Sequence, residues 1–83
     1  MFNLNSSLEQ GNYVIKKIDG DTKYIELLSQ LGIRCEAVIE VISEGYFPNS
    51  IIVEVNDKLI LLNSDFMSRI FVEKSKTLRK TMN

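Results

Sequence analysis

Ile51-Ile52-Val53-Glu54-Val55-Asn56-Asp57-Lys58-Leu59-Ile60-Leu61-Leu62 is the stretch that decides the fold. Two β-rich runs, 51–55 and 58–62, flank the pair Asn56-Asp57, a composition that suits a two-residue hairpin turn. A turn at that pair sets the register. Val53 opposes Ile60 and Ile51 opposes Leu62 on one face, and Ile52 opposes Leu61 on the other. Val53, Val55, Ile60 and Leu62 then point inward. Ile52, Leu59 and Leu61 point out of the same sheet. Three large aliphatic side chains together on a solvent-facing hairpin mark an interaction site, so these three are the candidate partner-binding residues. The competing reading is that a helix or the N-terminal turn covers them, since both faces of a small sheet are commonly packed.

Upstream of the hairpin, Ala37–Ile42 also has a period of two, with Ile39 and Val41 on one side and Val38, Glu40 and Ile42 on the other. Ser43–Ser50, with Gly45, Tyr46, Phe47 and the single Pro48, reads as a loop. The period is helical only in Thr22–Leu31, where Tyr24, Leu27, Leu28 and Leu31, flanked by Ile25, form a stripe expected to pack on the core. Asp19-Gly20-Asp21 is the turn before this helix, and Gly32 stops it. Tyr13–Ile18 reads as a strand whose broken alternation fits a bulge. Ser6 and Glu9 have capping-box spacing, so Leu4–Gly11 is expected to hold one helical turn ended by Gly11. Downstream, Asn63-Ser64-Asp65 starts a turn of helix, and Arg69–Glu73 is a last strand with Ile70 and Val72 inward.

Eighty-three residues make one domain, and chains of this size bury roughly 63% of their extended surface on folding. The expected architecture is mainly β, a small barrel of about five strands with one short α-helix, because strands this short leave unpaired edges unless the sheet closes on itself. The barrel is expected to span 1–73, and 74–83 forms a basic C-terminal tail. Residues 1–73 hold all 11 acids and six of the ten bases, a net −5, whereas Lys74, Lys76, Arg79 and Lys80 make the last ten residues +4. An acidic body disfavours nucleic-acid contact. The basic tail either touches an anionic partner or is a solvated terminus.

Much of the chemistry of enzymes and metal sites is missing. The chain has no His, no Trp and one Cys, which excludes Ser-His and Cys-His pairs and leaves no zinc-ligand set. Its four glycines are too dispersed for a phosphate loop. Cys35 is expected to be a buried or half-buried, inert thiol. Asp19, Asp21 and Glu26 are the one local acidic group, and turn and helix-start chemistry accounts for them without a metal. The N-terminus lacks the basic and apolar regions of a signal peptide, and no apolar run approaches a membrane span, so a cytoplasmic protein is expected.

Several stretches together resemble the small FeoA-type proteins of bacterial ferrous-iron transport. They are Ser7-Leu8-Glu9-Gln10-Gly11, the helix ending Leu28-Ser29-Gln30-Leu31-Gly32-Ile33, the strand Ala37–Ile42, Val53-Glu54-Val55-Asn56-Asp57-Lys58, Ile60-Leu61-Leu62, and Ser64-Asp65 with Arg69-Ile70-Phe71-Val72. The match in order and spacing runs from about residue 4 to residue 73. This chain has Glu36 and Asp57 where the family usually has turn glycines. The resemblance implies an SH3-like barrel without catalytic residues. It also implies an accessory role to the membrane-bound ferrous-iron permease with a G-protein domain, the chain being peripheral to the membrane through that partner. The alternative it implies is a free-standing regulatory module related to the C-terminal domain of metal-dependent transcriptional repressors. No cofactor is expected. Carboxylate-only sites need several convergent oxygens. Anaerobic calorimetry of the isolated protein with Fe²⁺ is therefore expected to show no stoichiometric site of sub-micromolar affinity.

Overall fold

The computed structural model describes residues 1–6 and 9–75. Along the chain run β1 (Phe2–Asn3), β2 (Gly11–Ile18), α1 (Thr22–Gln30), β3 (Val38–Glu44), β4 (Ile51–Val55), β5 (Lys58–Leu62), α2 (Ser64–Arg69) and β6 (Ile70–Lys74). The strands form one antiparallel sheet in the order β1-β6-β2-β3-β4-β5. The mainly β architecture is as the sequence predicts. The described residues add one strand, β1, to the expected five, and the helical turn after Asn63 is a second short helix, α2.

The hairpin forms in the expected register, with Ile51 opposite Leu62, Ile52 opposite Leu61 and Val53 opposite Ile60. Asn56 and Asp57 both have positive φ, 52° and 65°, the conformation of a type I′ turn, whose twist matches that of the flanking strands. Two irregularities bend the sheet. Between Ile15 and Lys17 the pairing with β6 slips by one residue, which is the bulge expected in this strand. A second slip, between Val41 and Ser43, displaces Ile42 and carries β3 two residues further than expected, to Glu44. Extra residues of this kind increase local twist and let a short sheet curl on itself.

The concave face of that sheet is the core. Ile15, Ile39, Val53, Ile70 and Val72 are fully buried there, each contributing roughly 1.5–3 kcal/mol by leaving water. The two edge strands are not hydrogen-bonded to each other. Instead α2 spans the gap, touching β1, β5 and β6. Asn63 caps α2 by accepting from the Phe66 N–H, and Met67 is buried beneath the helix. Leu4 enters the core at the same end, its N–H shared between the carbonyls of Met67 and Ile70.

Four expectations are corrected. Phe2–Asn3 is a strand and Leu4-Asn5 a turn where a helical turn was expected from Leu4, and Gly11 opens β2 instead of ending a helix. The middle of that element, Ser7 and Leu8, lies outside the described residues. Pairing with Val72 and Phe71 gives the N-terminal segment more hydrogen bonds than one isolated helical turn could. The α1 stripe does not pack on the core as a whole. Leu28 is buried and Tyr24 half-buried, but Ile25, Leu27 and Leu31 are exposed. The helix lies across one end of a barrel too narrow to cover all five. Cys35 is exposed, since Ile33 takes the buried place and Arg34-Cys35-Glu36 turns outward. The loop is shorter than Ser43–Ser50, because β3 includes Ser43 and Glu44.

Both ends of α1 follow from local sequence. The Asp21 carboxylate accepts from the Tyr24 N–H at 2.9 Å. Gly32, at φ 90°, donates to the Ser29 carbonyl while Ile33 donates to Leu28, a Schellman closure whose apolar pair, Leu28 and Ile33, is buried together. A Cβ on Gly32 would collide with the Asn56 side chain, so glycine is also needed to seat the helix end on the hairpin turn. Tyr24 stacks on Phe66 of α2 at 5.6 Å, with the Arg69 guanidinium over its ring. Burial pushes the Tyr24 phenol upward, as does Asp65, and Arg69 opposes them.

Glu36 and Asp57, the two positions where turn glycines are expected from the resemblance, have positive φ, 73° and 65°. Their side chains therefore carry a steric cost that glycine avoids. Asp57→Gly, which creates the favoured Asn-Gly turn, is expected to stabilise the fold by about 0.5–1 kcal/mol. The check is a higher urea midpoint at an unchanged denaturant slope.

Candidate functional site

The outer face of the sheet is ordered by the same ladders as the core. Ser43, Ile52 and Leu61 form one row across β3, β4 and β5, and Glu40, Glu54 and Leu59 form the next. The hairpin thus presents aliphatic side chains beside two carboxylates that directly oppose each other.

The three candidate residues differ in environment. Leu59 is 69% exposed and Leu61 41% exposed, whereas Ile52, one strand inward, is half-buried. Leu61 is partly sheltered by the β3–β4 loop: a Cβ placed on Gly45 would meet the Leu61 Cδ1 and the Ser50 hydroxyl. Ile52 and Leu61 are direct neighbours, and Leu59 lies one row along on the same face. Among the described residues neither α1 nor the N-terminal turn hides Leu59 or Leu61 from solvent.

Two further exposed features escaped the sequence reading. The first is Ile25, Leu27 and Leu31 on α1, with Leu27 54% exposed. The second is the β3–β4 loop, which holds Tyr46 at 88% and Phe47 at 64% exposure. That loop is built rather than loose. The Gly45 N–H donates to the Ser50 carbonyl, and the buried Ser50 hydroxyl donates to the Phe47 carbonyl at 2.6 Å and accepts from the Phe47 N–H. The Gly-Tyr-Phe-Pro composition was the signal for it: two aromatic residues in a turn segment have no core to enter.

Two acids of the Asp19, Asp21 and Glu26 group have structural work. Asp21 caps α1 and Asp19 pairs with Lys17 at 3.5 Å, which accounts for two of the three local acids. Among the described residues no three His, Cys, Asp or Glu side chains converge to hold a metal ion. A cleft of about 300 Å³ opens between the N-terminal turn, the β3–β4 loop and Met67, and among the described residues Glu44 is the only acidic or basic one lining it. A lone carboxylate there has no acid–base partner. No helix among the described residues is long and apolar enough to cross a membrane.

Fold and surface define a small SH3-like β-module that displays apolar side chains and lacks an assembled catalytic group among its described residues. The chain belongs to the FeoA domain family, whose sequence profile matches residues 2–74. Proteins of this family are associated with ferrous-iron transport systems. The fold is shared with the FeoA protein from Chlorobium tepidum, at 16% identity and a TM-score of 0.74, covering 88% of this chain and 70% of that one. It is shared also with two metal-dependent regulators. Zinc-bound ScaR matches at 21% identity and a TM-score of 0.79, over 90% of this chain and 37% of that one. The manganese regulator SloR matches at 18% identity and 0.78, over 89% and 34%. The chain therefore spans about a third of those regulators, and identities this low establish the fold alone. No curated protein matches the chain by sequence.

The exposures order the expected effects of substitution. Leu59→Lys, which places a cation opposite Glu54, is expected to change stability by no more than about 0.5 kcal/mol. Leu61→Glu, which loses packing against the loop, is expected to cost about 1 kcal/mol. Thermal and urea denaturation of the two variants checks the order.

Proposed function

We propose that this chain is a non-enzymatic, cytoplasmic accessory protein of bacterial ferrous-iron uptake. It docks on the membrane permease that carries a G-protein domain, through Ile52, Leu59 and Leu61 on the outer face of the hairpin. Two observations support this reading: the family match over residues 2–74, and the exposure of Leu59 and Leu61 beside half-buried Ile52. Aliphatic side chains left in water on a module of this size gain free energy when a partner covers them, at roughly 25 cal/mol per Å² of apolar area. The role asked of the chain is binding, which needs neither a nucleophile nor a resident metal. Glu54, directly opposite Leu59, favours a partner surface with a basic rim.

A second reading has one observation in its favour, the fold shared with the metal-dependent regulators ScaR and SloR. On that reading the chain is a free-standing regulatory module acting on a transcriptional regulator. The two readings call for different partners, a membrane protein or a soluble repressor.

Co-purification separates them. The wild-type chain is expected to retain the permease from detergent-solubilised membranes, and folded Leu59→Lys is expected to lose it and to lower iron uptake in cells. A folded Leu59→Lys protein that still retains the permease and supports normal uptake would remove the hairpin face as the docking site.

A further inference from the structure

The strand that carries the exposed leucines is also an open edge of the sheet. In a two-residue hairpin the residues flanking the turn, Val55 and Lys58, exchange both backbone bonds, and the alternation continues along the ladder. Val53 with Ile60 and Ile51 with Leu62 are therefore bonded pairs. Leu59 and Leu61 aim their N–H and C=O groups away from β4. β5 is the last strand of the sheet, and none of these four groups has a hydrogen-bond partner among the described residues. The other edge, β1, is only two residues long. Proteins blunt an edge by shortness, proline, a bulge or charge. β1 uses shortness. β5 is five residues long, pairs with β4 without a bulge, has no proline, and carries its one charge, Lys58, at its end.

We propose that β5 pairs antiparallel with β5 of a second copy of this chain, about a two-fold axis through Ile60. This inference goes beyond the permease reading and does not depend on it. The sequence of the edge selects the occupant. Leu59-Ile60-Leu61 reads the same in both directions, so the antiparallel image of the strand presents the same residues. With Ile60 on the axis, the outward groups of Leu59 meet those of Leu61 in the second copy, and those of Leu61 meet Leu59. Four backbone bonds form, and none is taken from β4. On the outer face each Leu59 lies beside the other copy's Leu61, which closes the exposed apolar surface of both.

Charge permits the same register. Lys58 falls opposite Leu62 of the second copy, so the two Lys58 residues stand four positions apart, about 13 Å at ~3.3 Å per residue. That exceeds the screening length of about 8 Å at physiological salt. The strand has no acid to meet its own image. The contact is smaller than the roughly 800 Å² per partner of a standard stable interface, so the dimer is reversible, with a dissociation constant on the order of micromolar or weaker. An isologous contact of this kind closes at two copies and does not propagate.

The test uses the purified 83-residue chain alone, so its outcome is separate from that of the permease experiment. Sedimentation velocity from low micromolar to millimolar protein is expected to show a monomer–dimer equilibrium. Leu61→Pro removes an outward N–H without touching the β4 ladder, a place where an edge strand tolerates proline. It is expected to remain monomeric throughout, as is Leu59→Lys, which serves if the proline variant fails to fold by circular dichroism. Register is read by cross-linking in a Cys35→Ser background. Ile60→Cys is expected to form an intermolecular disulfide on mild oxidation, because non-bonded antiparallel pairs bring Cα atoms to about 4.5 Å. Lys58→Cys is expected not to cross-link. A wild-type chain that is monomeric at every concentration overturns the proposal. So does a dimer that survives both edge variants, or one that cross-links as readily through Lys58→Cys as through Ile60→Cys.

Discussion

The structure depends on β2. This strand is paired on both sides, with β6 and with β3, and so joins the two ends of the described chain to its middle. Ile15, near its centre, has no exposed surface and packs in a row with Val72 of β6. The bulge that follows Ile15 turns Lys16 out of the ladder, where its ammonium meets Glu36 at 3.2 Å. Were the same residues to alternate regularly with no bulge, Lys17 would face the core and Ile18, now buried opposite Ile70, would point to solvent. The sequence places two consecutive lysines inside a strand, and the bulge is the means by which both reach water.

A curled sheet of strands this short has a core one layer of side chains deep, and that constraint explains the outside as well as the inside. α2 bridges the edges where β1 and β5 do not pair, and Leu4 fills the space under it. α1 lies at one end, fixed by Leu28, by the Tyr24–Phe66 stack and by the seat of Gly32 on the hairpin turn. Among the described residues there is no second layer to receive the rest of the apolar side chains. Leu27, Leu31, Leu59, Leu61, Tyr46 and Phe47 therefore remain at the surface.

Two turns hold side chains in strained backbone. Glu36 and Asp57 have left-handed backbone, which favours glycine. Glu36 is fixed by its N–H to the Ile15 carbonyl at 2.7 Å, one of two backbone–backbone bonds that tie the α1–β3 connection to β2. The conformation is imposed by the ladder on either side, so the side chain is tolerated at a cost. Asn56-Asp57 keeps its two-residue geometry for the same reason, with five paired positions holding the strands in register.

Local pattern determined most of the fold. The alternation of 51–62 about Asn56-Asp57 fixes the hairpin and its register, and with it the outward direction of Ile52, Leu59 and Leu61. Asp21 and Gly32 fix the ends of α1, because caps act through bonds only a few residues apart. Residue order also carried the family. Tertiary structure decided what covers what. The stripe of α1 looks like a core face, yet only Leu28 is buried, since helical spacing says which residues share a face and not how wide the opposing surface is. β1 was invisible because two residues carry no period, and its strand exists only through Val72 and Phe71, some 70 positions away. Whether Leu59 is a surface or a core residue depended on the path of α1 and of the β3–β4 loop, which no spacing within the hairpin encodes. The open backbone groups of β5 have the same origin: a strand becomes an edge through the order of the whole sheet.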